Sequence, residues 1–88
     1  MVVHGRVQGV FFRDATQRRA RQEGVSGWVR NRADGTVEAV FEGGSGSVDR
    51  LVSWAERGPR HAVVDRVDVT DEEPEGLTGF EIRATPRA

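Results

Sequence analysis

Eighty-eight residues and 9.7 kDa leave room for a single domain spanning 1–88, and a chain of that size hides only about 60–65% of its unfolded surface, so its core is small. At 36% hydrophobic and 31% charged, with no long apolar run, the composition excludes a disordered chain, a membrane-spanning helix and a secretory signal. There is no Cys and no Lys, all 13 basic residues being Arg; that removes disulfides, zinc ribbons, iron–sulfur sites, thiol-nucleophile phosphatases, Schiff-base chemistry and the Walker A lysine.

In chain order, Val2 to Val7 alternate loosely and predict a strand, which Gln8 and Gly9 interrupt. Asp14 to Glu23 are good helix formers, with Phe12, Thr16 and Ala20 as a weak apolar face and Gly24 as the stop. Val25–Asn31 and Thr36–Glu42 read as strands joined through Asp34-Gly35, a hairpin signal because both residues tolerate positive φ. After the Gly43–Gly46 loop, Val48, Leu51, Val52 and Ala55 fall at helical spacing. Ser45 or Ser47 is the expected cap of that helix, Asp49 lies near its positive end, and Gly58-Pro59 terminates it. Trp54 flanks the stripe and is expected in the core. Val63–Thr70 predicts another strand, with Val63, Val67 and Val69 on one side. An acidic turn, Asp71–Gly79, leads to a last strand, Phe80–Ala84. The order β-α-β-β-α-β predicts an α+β ferredoxin-like βαββαβ sandwich, an antiparallel sheet with two helices on one face and a short extra C-terminal strand.

Charge is unevenly spread along these elements. Residues 1–32 hold seven Arg against Asp14 and Glu23, a balance of +5, whereas 33–88 hold six Arg against twelve acids, a balance of −6. The basic third suits a small anion, and the acidic remainder argues against a broad nucleic-acid footprint. The loop leading from the first strand into the first helix is where such an anion fits. Consecutive backbone N–H groups there converge beside a positive helix end, and Arg13 adds a planar fork matched to phosphate oxygens. Taken alone, a glycine-containing strand–helix turn followed by Arg is also an ordinary structural element.

The run Gly5-Arg6-Val7-Gln8-Gly9-Val10-Phe11-Phe12-Arg13 resembles the signature of the acylphosphatase family. A second stretch, Gly27-Trp28-Val29-Arg30-Asn31-Arg32-Ala33-Asp34-Gly35-Thr36-Val37, resembles that family too, as do Phe41-Glu42-Gly43, Trp54, Gly58-Pro59 and Phe80-Glu81-Ile82. The resemblance implies the ferredoxin-like fold and hydrolysis of small acyl phosphates to carboxylate and inorganic phosphate without metal or cofactor. It implies that Gln8, Gly9, Val10, Phe11, Phe12 and Arg13 form the phosphate cradle, with Arg13 as the phosphate-binding arginine. Asn31 matches the residue that positions the attacking water. Inorganic phosphate is then both product and competitive inhibitor, and the expected protein is a cytoplasmic monomer with no nucleic-acid or membrane partner. At the C-terminal end the chain departs from relatives that close with a Tyr, having none.

The residue types suit that chemistry. A carboxylate leaves without being protonated, and no Cys, Ser or Asp lies between Gln8 and Arg13 to act as a covalent nucleophile. Water must then attack in line, and catalysis reduces to positioning and charge stabilisation. Other candidates are weaker. His4 and His61 are expected at the surface or in packing, the Asp71-Glu72-Glu73 run in a solvated turn, Trp28 in core or hairpin packing, and Thr36 either as support for the Asn31 hairpin or as an ordinary strand residue, not a catalytic one. Two alternatives stay open on sequence: a non-catalytic anion- or RNA-binding module, although Phe11 and Phe12 lie at a strand–helix junction rather than alternating along a central strand as stacking aromatics do, and a variant specific for carbamoyl phosphate.

Overall fold

Seven short elements arise where the apolar spacing places them. The computed structural model, which describes residues 1–87, contains β1 (Val2–Arg6), α1 (Phe12–Gln22), β2 (Ser26–Asn31), β3 (Val37–Glu42), α2 (Ser45–Ala55), β4 (Val63–Asp68) and β5 (Phe80–Ile82). The strands lie in the order β4-β1-β3-β2-β5. The first four pair antiparallel, as the βαββαβ order predicts. β5 instead runs parallel to β2, with Gly27 opposite Phe80 and Val29 opposite Ile82, so the sheet as a whole is mixed. The 69–79 connection therefore carries the chain from the β4 edge to the opposite edge. Glu42 fastens it, its Oε1 accepting from the N–H groups of Gly76 (3.0 Å) and Leu77 (3.2 Å).

Both helices pack on the sheet through most of the expected residues, Val52 being absent from the core cluster. α1 buries Phe12, Thr16 and Ala20, and α2 buries Leu51, Trp54 and Ala55. These meet Val3, Val29, Val37 and Ala39 in one cluster, and the Phe12 and Trp54 rings lie 5.4 Å apart at a tilt of 49°. α1 stops where predicted: Gly24 donates to the Arg21 carbonyl and Val25 to that of Ala20, closing its last turn. Its start differs, falling at Phe12 rather than Asp14, which puts Arg13 in the first turn. α2 has Gly44 at its cap and no side-chain cap; Ser45 is already helical, the Ser47 hydroxyl meets Arg50 instead, and Asp49 lies beyond the first turn.

β4 corrects the sequence reading. Val64 and Val67 pack against the core, whereas Val63 and Val69 are exposed. At Val63 and Val64 the cause is a bulge: His4 sits opposite Arg66 but Gly5 sits opposite Val64, leaving Asp65 as the extra residue, whereas Val69 lies past the end of the strand. One extra residue exchanges the two faces of a strand. Gly5 permits the bulge, because at its φ of 129° a Cβ would lie 2.1 Å from the Val63 carbonyl oxygen. We expect Gly5→Ala to lower stability by more than about 3 kcal/mol, since backbone cannot yield as a side chain does. A domain of this size holds only about 4–13 kcal/mol in total. Urea denaturation measures the loss, and a change below about 1 kcal/mol contradicts this reason for the glycine.

Candidate active site

Two core side chains pin the loop between β1 and α1. Val7 and Phe12 are both buried, holding the ends of a short arch made of Gln8, Gly9, Val10 and Phe11. Within the arch the backbone turns left-handed at Gly9 (φ 73°) and again at Phe11 (φ 62°). Phe11 is the N-cap of α1 and offers no side-chain cap. The first N–H groups of the helix have no carbonyl a turn earlier to bind, and they face outward beside the positive helix end. Such an arch attracts an oxyanion. Arg13, half-exposed in the first helical turn, projects from the same place. Among the described residues no carboxylate lies within ion-pair distance of it.

The second part of the site is the β2–β3 hairpin. Asn31 ends β2, paired with Val37. The turn beyond it is closed by Arg32 N–H donating to the Thr36 carbonyl (2.9 Å) and Gly35 N–H donating to the Arg32 carbonyl (3.1 Å). Asp34 Oδ1 accepts from both the Thr36 hydroxyl (2.6 Å) and the Thr36 N–H (3.0 Å). The Thr36 hydroxyl, then its amide, hold the Asp34 carboxyl below the usual carboxylate range. The turn is thus braced by a carboxylate, and of the two readings of Thr36 the hairpin support is the one the structure shows.

The two parts meet at one end of the sheet. Asn31, Arg13, Gly9, Phe11 and Phe12 line a common cavity of about 260 Å³, together with Val7 and Asp14. Three cradle residues behave differently from a simple reading of the motif. The Phe12 ring is in the core, so Phe12 offers the site its backbone. Val10 is partly buried against the core and does not line the cavity. The Gln8 side chain turns away from it altogether, donating from Nε2 to the carbonyls of Arg32 (2.8 Å) and Thr36 (2.9 Å). A larger cavity, about 460 Å³, lies at the opposite end of the sheet beside Met1, Phe41 and Glu42. It is rimmed by Asp71, Glu72, Glu73 and Glu75, which repel an anion.

Phe11 is 74% exposed as well as left-handed. A side chain in that conformation costs about 1–2 kcal/mol, whereas glycine there costs about 0.5–1 kcal/mol of backbone entropy. We expect Phe11→Gly to leave stability unchanged or raise it by up to about 1 kcal/mol in urea denaturation. A loss above about 2 kcal/mol would show that the ring packs in a way its exposure hides.

The other sequence candidates take the roles expected of them. His4 pairs with Asp68 at 2.9 Å, and His61 is exposed. Trp28 is buried but lies outside the core cluster, its ring covered by the guanidiniums of Arg30 (4.7 Å) and Arg83 (4.9 Å). Among the described residues no cluster of three or more His, Cys, Asp or Glu is placed to hold a metal ion, and no helix is long and apolar enough to cross a membrane. The RNA-binding alternative is not favoured, because burial of Phe12 leaves Phe11 as the one exposed ring of the motif.

Comparison with known proteins points the same way. A family model described as Acylphosphatase matches residues 1–82. The chain is 63% identical over 83 residues to an acylphosphatase of Rubrobacter xylanophilus, covering 92% of this chain and 74% of that protein. It is 58% identical over 80 residues to an acylphosphatase of Thermococcus kodakarensis, covering 91% and 88%. The crystal structure of acylphosphatase from Bacillus subtilis superposes with a TM-score of 0.89 at 37% identity, covering 93% of this chain and 92% of that one.

Proposed function

This chain belongs to the acylphosphatase family, and from that premise we propose which residues carry out the hydrolysis of acyl phosphates. The backbone N–H groups of Gln8 to Arg13 and the Arg13 guanidinium take the phosphoryl group, and Asn31 holds the water that attacks it. The observation that supports this division is the shared cavity, into which Arg13 and the arch open on one side and Asn31 on the other strand pair. Water attacks phosphorus, the P–O bond to the acyl group breaks, and the electron pair leaves with the carboxylate. The proton lost by the water passes to a phosphate oxygen, since an amide has no useful basicity. Carboxylic acids ionise near pH 4, so the leaving group needs no proton. Arg13 and the amides supply positive charge to the transition state, and the mechanism calls on no metal. Inorganic phosphate, the product, occupies the same arch and competes with substrate. We further propose that residues 1–88 act as one domain, as a monomer in the cytoplasm.

Leaving-group dependence tests this directly. Acetyl phosphate and benzoyl phosphate should be hydrolysed, with EDTA present or absent, and an alkyl phosphate monoester should scarcely react. Its alkoxide needs a general acid, a role that the proposed machinery of arch amides, Arg13 and Asn31 does not supply. Comparable turnover of the monoester, or loss of activity to EDTA, would overturn the mechanism.

A further inference from the structure

We infer that the Gln8 side chain is a positioning residue, which sets the placement of Asn31 relative to the phosphate arch by tying that arch to the hairpin. The inference rests on the proposed role of Asn31 in holding water.

The backbone ladder leaves a gap at this end of the sheet. β1 and β3 pair at Val2 with Glu38 and at Val3 with Val37, and the register continues no further towards the site. From His4 onward, past the bulge, β1 pairs with β4 alone. The arch that follows β1 and the hairpin that carries Asn31 are therefore not joined by sheet hydrogen bonds. Gln8 bridges that gap. Its backbone belongs to the arch, and both hydrogens of its side-chain amide go to the hairpin, at 2.8 Å to the Arg32 carbonyl and 2.9 Å to that of Thr36. Arg32 directly follows Asn31 in the chain.

The bridge is not what folds the turn. Arg32 and Thr36, Gly35 and Arg32, and Asp34 and Thr36 hold the turn closed without Gln8. Losing Gln8 frees the hairpin to shift against the arch while keeping its own shape. In-line attack is sensitive to such shifts: a misplacement of about 1 Å costs on the order of 10²-fold in rate. Binding of phosphate alone involves the arch and Arg13, so it does not register the shift.

The experiment is a double-mutant cycle on the full chain, reading kcat with benzoyl phosphate and the inhibition constant of inorganic phosphate. Gln8→Met removes both hydrogen bonds at nearly constant shape, and Gln8→Asn keeps an amide one methylene too short to reach both carbonyls. Each should lower kcat by about 10–10²-fold while phosphate inhibition changes by less than about twofold. In an Asn31→Ala background the same substitutions should change kcat by less than about twofold, because the residue they act through is gone. A full additional loss in that background, a parallel weakening of phosphate inhibition, or an unchanged kcat in both single variants overturns the inference. Should Gln8→Met fail to fold, Gln8→Asn carries the test. If Asn31→Ala itself keeps full kcat, the water-holding role falls and this inference with it; loss at Asn31 without loss at Gln8 defeats only the inference.

Discussion

Arg13→Ala should abolish most activity, lowering kcat/KM by on the order of 10³-fold or more and weakening inhibition by inorganic phosphate in parallel. In the proposed mechanism Arg13 meets the phosphoryl group before and during transfer, so both readouts must move. The guanidinium stands in the first turn of α1 with no carboxylate partner among the described residues, so its removal leaves no buried charge behind. The melting temperature should therefore change little, and the kinetic loss belongs to the site rather than to unfolding. Arg13→Lys should recover only part of the activity, because an ammonium cannot present two parallel donors to two phosphate oxygens. Steady-state kinetics with phosphate as inhibitor checks all of this. A folded Arg13→Ala variant with unaltered phosphate inhibition would remove Arg13 from the binding site.

Asn31→Ala has a different signature. We expect kcat to fall by on the order of 10²–10³-fold while phosphate inhibition stays within about twofold of the parent. Asn31 ends β2 and pairs through its backbone with Val37, so the side chain can go while the strand register persists. Asn31→Asp keeps the shape but loses the amide donor and brings a negative charge towards an anionic substrate. It should be at least as impaired as Ala. Circular dichroism confirms the fold of each variant before kinetics. A folded Asn31→Ala enzyme that keeps nearly full kcat refutes the water-holding role.

The sequence made much of this arrangement legible, and its failures have physical reasons. Apolar spacing located every strand and the second helix, a run of good helix formers located the first, and the Asp34-Gly35 signal located the hairpin that presents Asn31. The start of α1 was not legible, because its cap is a left-handed Phe11 with none of the Ser, Thr, Asp or Asn chemistry that marks helix starts. Hence Arg13 falls inside the helix rather than before it. Val67 faces the core as read, but Val63 was misassigned because the bulge opposite Gly5 inserts one residue, and a glycine inside the β1 pattern was the sole local trace of it. Alternation likewise carries no information on strand direction, so the parallel pairing of β5 emerged from the structure alone. Gln8 shows the limit most clearly. Its place in the arch follows from the motif, but its side-chain partners stand 24 and 28 residues away and are fixed by tertiary packing.

The central claim is that the arch from Gln8 to Arg13 is where the phosphoryl group sits. The most direct measurement is an NMR titration of the backbone amides with inorganic phosphate. The N–H resonances of Gly9 to Arg13 should shift saturably and together, with a dissociation constant matching the kinetic inhibition constant, and the shifts should largely vanish in Arg13→Ala. Saturable shifts elsewhere, with this arch silent, would contradict the claim.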